Sequence, residues 1–280
     1  GVSWDLPTPG FLGGEGPGEG SSGGLCGGLH GHGHASEATG TVFLPKGHCG
    51  VAMVGRSTDN GVTWSTVTVD NTVGFDGHEA IVSTDRAGNV YYFFLDGNAL
   101  PRLSVSTDDG QTWSEPMNVT APGVTRAKFP SIVAGEDGRI AFLYLGTTSP
   151  EGQDLYNETK QNYADNATWN GYVGFSLDAT AADPVFATVT AHPDADPLHR
   201  GDCADRCQVE NGGMYDFLDI DVHPLTGQVW VALVDNCNDN GPGEGVASCN
   251  HPNGTIDSVR RARAVVGVQL GGTLLGTRLP

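Results

Sequence analysis

Ionisable side chains recur at one kind of position in this chain, at or just before the start of a strand-like apolar run. His30 and His32 precede the first run, Asp76, His78 and Glu79 the second, Arg126 and Lys128 the third, and Tyr215, Asp216 and Asp219 the fourth. Carboxylates, two cations, imidazoles and a phenol together can give and take protons on either side of a bond. Hydrolysis of a glycosidic bond uses such a set, with one carboxyl group as acid and a second group as base or nucleophile. Glu79, Asp216, Asp219 and Tyr215 are the candidates for those roles, and Asp76, His78, Arg126 and Lys128 for holding a substrate. His30, His32 and His34 alternate, so on a strand they share a face. His30 and His32 could hold a metal with a carboxylate as a further ligand; the same imidazoles equally suit a polar channel lined with water.

These residues can cooperate only if distant stretches of chain bring their strand starts to one place, and a repeat supplies the means. Thr39-Gly-Thr-Val-Phe, Ala87-Gly-Asn-Val-Tyr, Asp137-Gly-Arg-Ile-Ala and Thr226-Gly-Gln-Val-Trp each set a glycine before an apolar run. A hairpin turn that needs φ > 0 has that pattern. Gly40 and Gly88 lie 48 residues apart, and Gly88 and Gly138 lie 50 apart. A second motif, Ser-x-Asp-x-Gly-x-Thr-Trp, runs from Ser57 to Trp64 and from Ser106 to Trp113, its tryptophans 49 apart. A period of about 50 residues made of short strands is the size of a propeller blade. With 42 Gly and 16 Pro in 280 residues and little helical periodicity, the expected fold is all-β.

The expected organisation is a single partial β-propeller over residues 1–280, with four near-complete four-stranded blades at 27–70, 77–120, 127–192 and 212–270. The third blade carries an insertion at 146–168. Residues 11–26 form a Gly-rich loop, and residues 1–10 are the last strand of a preceding blade, because Gly1-Val2-Ser3-Trp4 reads as the back half of another Trp motif. On that reading the chain is a fragment of a larger propeller. Each chain passage enters its innermost strand from one side of the ring, so the strand starts gather at one mouth.

The Trp motif itself reads as a hairpin staple. In the boxes that Ser57 and Ser106 open, Asp59 and Asp108 accept backbone and threonine hydrogen bonds across the turn, Gly61 and Gly110 take the left-handed position, and Trp64 and Trp113 bury between blades. A third copy, beginning Ser176-Leu177-Asp178, has lost both Gly and Trp. These motifs are Asp boxes, and with them the chain resembles the bacterial neuraminidase repeat, or sialidase-like, propellers. The stretches CGGLHGHGH, TVFLPKGHCG, KFPSIVAGEDGRIAFLYLGT, DPLHRGDC and YDFLDIDVHPLTGQVWVALVDNC extend the resemblance over nearly the whole chain, to secreted sialidase family proteins. The resemblance implies an exo-glycosidase acting on terminal sugars of glycans, with the boxes on the face opposite the active site. It also implies an arginine triad for the substrate carboxylate, a Tyr nucleophile assisted by Glu, and an Asp acid/base. The family's Phe-Arg-Ile-Pro segment is absent, Lys128-Phe129-Pro130 is its faint echo, and no triad is assigned. A non-catalytic carbohydrate- or protein-binding propeller of a surface or adhesion protein is the alternative.

A net charge of −19 with three lysines speaks against nucleic acid or an anionic membrane as partner. A glycan or glycoprotein fits instead. No stretch approaches the roughly 20 apolar residues of a membrane span. Cys26, Cys49, Cys203, Cys207, Cys237 and Cys249 all sit in loop-like sequence, which favours disulfides and an extracellular or cell-surface location. Cys26 and Cys49 flank two antiparallel strands and are expected to pair. The other four pair as Cys203–Cys207 with Cys237–Cys249, or as Cys207–Cys237 with Cys203–Cys249. No cofactor is required, and calcium is the one candidate, at Asn236-Cys-Asn-Asp-Asn-Gly, which begins like a calcium loop but lacks the closing Glu.

Overall fold

The computed structural model describes residues 32–48, 50–76, 80–149, 168–191, 197–200, 218–235 and 263–276. All six cysteines, the segment 236–241 and residues 1–26 lie outside this set. Every regular element among the described residues is a strand. The first sheet is β1 (His34–Ala35), β2 (Val42–His48), β3 (Val51–Ser57) and β4 (Ser65–Asp70). The second is β5 (Ile81–Thr84), β6 (Val90–Leu95), β7 (Pro101–Ser106) and β8 (Met117–Asn118). The third holds β9 (Arg126–Ala134), β10 (Ile140–Thr147), β11 (Thr168–Ser176) and β12 (Ala187–Thr190), with β13 (His199–Arg200) also paired to β11. The fourth holds β14 (Asp219–Val222), β15 (Val229–Asp235) and β16 (Arg263–Val268), three described strands against the four expected.

Within each sheet the strands from the first to the fourth, or to the third in the last sheet, pair antiparallel with their neighbours in chain order. The four repeat glycines, Gly40, Gly88, Gly138 and Gly227, turn the chain from the first strand into the second with φ of 74°, 89°, 72° and 72°. That conformation is strained for side chains with a Cβ, which is why glycine recurs there. Successive innermost strands lie side by side. The result is the all-β propeller arrangement of blades that the repeat predicts.

Apolar residues on the second strands explain the stacking. In β6, Val90, Tyr92 and Phe94 pack toward the first sheet, while Tyr91, Phe93 and Leu95 pack toward the third. In β10, Ile140, Phe142 and Tyr144 pack toward the second sheet and Ala141, Leu143 and Leu145 toward the fourth. A strand covered on both faces has no polar side, so its sequence runs apolar without alternation. In β15 only Val229, Val231 and Leu233 are packed against a described sheet, and burial alternates accordingly. Each fully buried ring or branched side chain contributes about 2 kcal/mol of transfer free energy, so these contacts hold the blades together.

The Trp motifs sit at the end of the sheets away from the strand starts. Asp59 accepts from Thr63 N at 2.8 Å, Thr63 Oγ1 at 2.6 Å and Ser57 Oγ at 2.8 Å. Asp108 repeats the set with Thr112 N at 2.8 Å, Thr112 Oγ1 at 2.6 Å and Ser106 Oγ at 2.7 Å. The threonine hydroxyl bond is the main cause that lowers both carboxyls to about 2. Trp64 and Trp113 are half-buried rather than fully enclosed, because a hairpin tip at the rim leaves part of each ring open. The third copy is better preserved than its sequence suggests. Ser176 Oγ donates to Asp178 at 2.9 Å, and Val185 N donates to the same carboxylate at 3.0 Å, as the threonine amides do in the other two. Phe186 thereby occupies the place of the tryptophan.

Candidate functional site

The antiparallel order brings the strand starts to one end, where the third sheet departs from regular pairing. Opposite Tyr144 of β10, β9 carries two residues, Phe129 and Pro130, since Leu143 pairs with Ser131 and Leu145 with Lys128. Phe129 stands at φ 53°, a conformation a bulky residue rarely adopts and one that costs on the order of 1–3 kcal/mol. This bulge reverses the side-chain alternation. Ile132 and Ala134 pack toward the second sheet, but before the bulge Ala127 does so instead of Lys128.

Lys128 is thus turned off the apolar face that strict alternation would give it. Its Nζ lies 3.6 Å from Oδ2 of Asp76, which precedes β5 and is tied to that sheet by Asp76 N donating to Leu95 O at 3.1 Å. The lysine is 1% exposed and the aspartate 14%, so the pair is largely shielded from water. Arg126 begins the same strand opposite Thr147 and is half-buried. Three of the residues singled out in the sequence therefore meet on or beside β9.

The others behave differently. Leu218, Ile220 and Val222 face the third sheet, which leaves Asp219 exposed on the opposite face, its Oδ1 accepting from Ile220 N at 2.9 Å. His32 is exposed, and His34 Nε2 lies 2.8 Å from Thr84 Oγ1. Among the described residues no three His, Cys, Asp or Glu side chains gather as a metal site. His30, His78, Glu79, Tyr215 and Asp216 lie outside the described residues.

Two buried groups near the same end were not singled out in the sequence. Lys46, on β2, is fully buried. It stands six residues after its turn glycine, where the other sheets have Phe94, Tyr144 and Leu233, so aligning the four repeats exposes it as the one charged member. Burying an ammonium where the other repeats bury apolar side chains carries a desolvation cost that its surroundings must offset. His199 pairs with Trp169 at the start of β11, and burial lowers its pKa to about 4, which keeps it neutral at physiological pH. No sequence signal distinguishes it from a surface histidine, because its burial depends on β13 folding onto β11.

No protein-family model and no curated protein matches the chain. Solved structures do resemble it. The leech intramolecular trans-sialidase with 2,7-anhydro-Neu5Ac is 16% identical over 72% of this chain and 27% of its own, with a TM-score of 0.44. The NanB sialidase of Streptococcus pneumoniae is 15% identical over 72% of this chain and 26% of its own, with a TM-score of 0.47. A protein of unknown function from Dyadobacter fermentans is 15% identical over 85% of this chain and 53% of its own, also with a TM-score of 0.47. The chain thus spans between about a quarter and a half of the length of these proteins. Likenesses of this degree bring no activity to this chain.

Proposed function

We propose that the chain belongs to a secreted, sialidase-like exo-glycosidase whose mouth receives the terminal sugar of a glycan or glycoprotein. The shielded Lys128–Asp76 pair carries this reading. It sets a cationic donor and a carboxylate acceptor side by side where water is largely excluded, the mixture that sugar hydroxyls and an acidic sugar's carboxylate require. Arg126 adds a second cation on the same strand. Glu79 and Asp216 would supply the acid and base, Tyr215 the nucleophile, and His78 a further contact. No cofactor is needed; calcium at 236–241 and a metal at His30 and His32 would be accessory. Disulfides among the six cysteines would suit the extracellular setting.

One observation favours a second reading, a propeller that binds carbohydrate without cleaving it. Asp219 faces away from β9 and is exposed, so the carboxylate at the fourth strand start is not directed to the Lys128–Asp76 pair. Fluorogenic sialosides and neutral hexosides, tested together with binding to a glycan array, separate the two. Turnover that disappears in Glu79→Gln or Asp216→Asn at unchanged Tm supports the enzyme. Glycan binding without turnover, weakened at least tenfold by Lys128→Met, supports the binding module. Neither turnover nor binding overturns both.

A further inference from the structure

The three contacts between consecutive sheets are built from equivalent positions, and one of them is short of rings. Counting from the turn glycines, the facing residues are Phe43 and Tyr92 in the first contact, Tyr91 and Phe142 in the second, and Ala141 and Val231 in the third. A third ring closes the first two. Trp113 lies edge-on to Tyr92 with centroids 5.9 Å apart, and Phe186 packs on Phe142 at 6.4 Å. After β16 the corresponding connection is Gln269-Leu-Gly-Gly-Thr, which has no aromatic residue.

The sheets do not close over the missing rings. Leu143, Leu145, Trp169 and Leu233 hold them apart toward the mouth. At the other end, Glu136 N donates to Leu275 O at 2.7 Å and Leu275 N to Gly227 O at 3.2 Å, so Leu275 is a fixed spacer. On the sheet itself Val231 lies beside Gly267 of β16, so close that a Cβ there would stand 2.8 Å from Val231 Cγ2. What remains is a groove of about 360 Å³, walled by Val173, Val189, Val231, Val268 and Leu275 with the half-open ring of Phe175 on one side, and with Thr190, Gln269 and Thr273 as its polar side chains.

We propose that this groove binds a neutral aromatic small molecule of indole or phenyl size. The occupant follows from the two sister contacts, where the same strand positions enclose a ring supplied by the chain. Apolar walls with few polar groups exclude a charged ligand. The site is separate from the mouth and does not depend on the glycan reading.

Indole titrated into the full chain, followed by calorimetry and by methyl NMR shifts, tests the proposal. Saturable binding with shifts at Val173, Val189 and Val231 is expected. Val231→Phe restores the ring of the sister contacts, and Val189→Trp lays an indole over the groove from a position that is 56% exposed and therefore tolerant of change. Each should weaken indole binding at least tenfold and raise Tm. Should Val231→Phe fail to fold, Val189→Trp decides alone. Absence of saturable binding in the natural chain overturns the proposal, and so does unchanged affinity in a folded, filled variant.

Discussion

The hairpins Ser57–Trp64 and Ser106–Trp113 share a sequence pattern, an internal hydrogen-bond set and two carboxyls lowered alike, yet their attachments among the described residues differ, and there the second is fastened to another sheet. Asp109 accepts from Thr39 Oγ1 at 2.8 Å and Thr41 Oγ1 at 2.7 Å, and it pairs with Arg56, all residues of the first sheet and its turns. Gly110 comes so close to Phe43 that a Cβ there would stand 2.6 Å from its ring. In the first hairpin the matching residue is Asn60, at φ 59° against 62° for Asp109. Trp64 turns its Nε1 to Gly61 O at 3.0 Å inside its own hairpin, whereas Trp113 joins the apolar cluster between the first two sheets. The motif's repeated aspartate therefore makes the turn, and the residue after it makes the attachment.

The largest effect that tests this difference is loss of the indoles. Trp113→Ala should destabilise the chain by about 3 kcal/mol and Trp64→Ala by about 1 kcal/mol in urea unfolding, since only the former opens a cavity between described sheets. Equal losses would break the distinction. Phe186→Ala comes next, at about 2 kcal/mol, if the third hairpin is built like the second; a silent substitution would remove Phe186 from the series. Asp109→Gly, which tolerates the left-handed backbone and keeps the carbonyl that Arg56 Nε donates to, should cost about 1.5 kcal/mol by removing the carboxylate that Arg56, Thr39 and Thr41 share, while Asn60→Gly stays within about 0.5 kcal/mol.

The smallest effect concerns what the hairpins share. Asp59 and Asp108 have folded pKa values near 2, below the ordinary 3.8, so their contribution to stability is complete above about pH 4 and is lost as pH falls through about 2. Carboxyl-carbon NMR titration should give two nearly superimposable curves. A separation of a full pH unit would mean that attachment to a neighbouring sheet reaches the turn itself.

Much of this is legible in the amino-acid sequence. The four turn glycines carry their positive φ in the chain's own spacing, because the hairpin is a local object and glycine adopts φ > 0 most readily. Asp59 and Asp108 as staples follow from residues four apart or fewer. The gathering of Lys128, Asp76 and Arg126 follows from blade topology, though its geometry does not: Phe129 precedes a proline, and nothing in Lys-Phe-Pro announces a left-handed residue and an extra position in β9. Phe186 is hidden in the sequence because three additional residues in its loop displace it from the tryptophan's spacing.

The sequence by itself determined the unit, its period and its polarity: short antiparallel strands, turned by glycine, with ionisable residues at their starts. Those features depend on contacts within some 50 residues. Tertiary structure alone decided which face of each strand meets another sheet, and hence that Asp109 rather than Asp108 ties two blades, that Lys46, Lys128 and His199 are buried, and that Ala141 and Val231 leave a groove where their counterparts leave none. Complementarity between two surfaces is a property of both, and a strand's own residues specify only one.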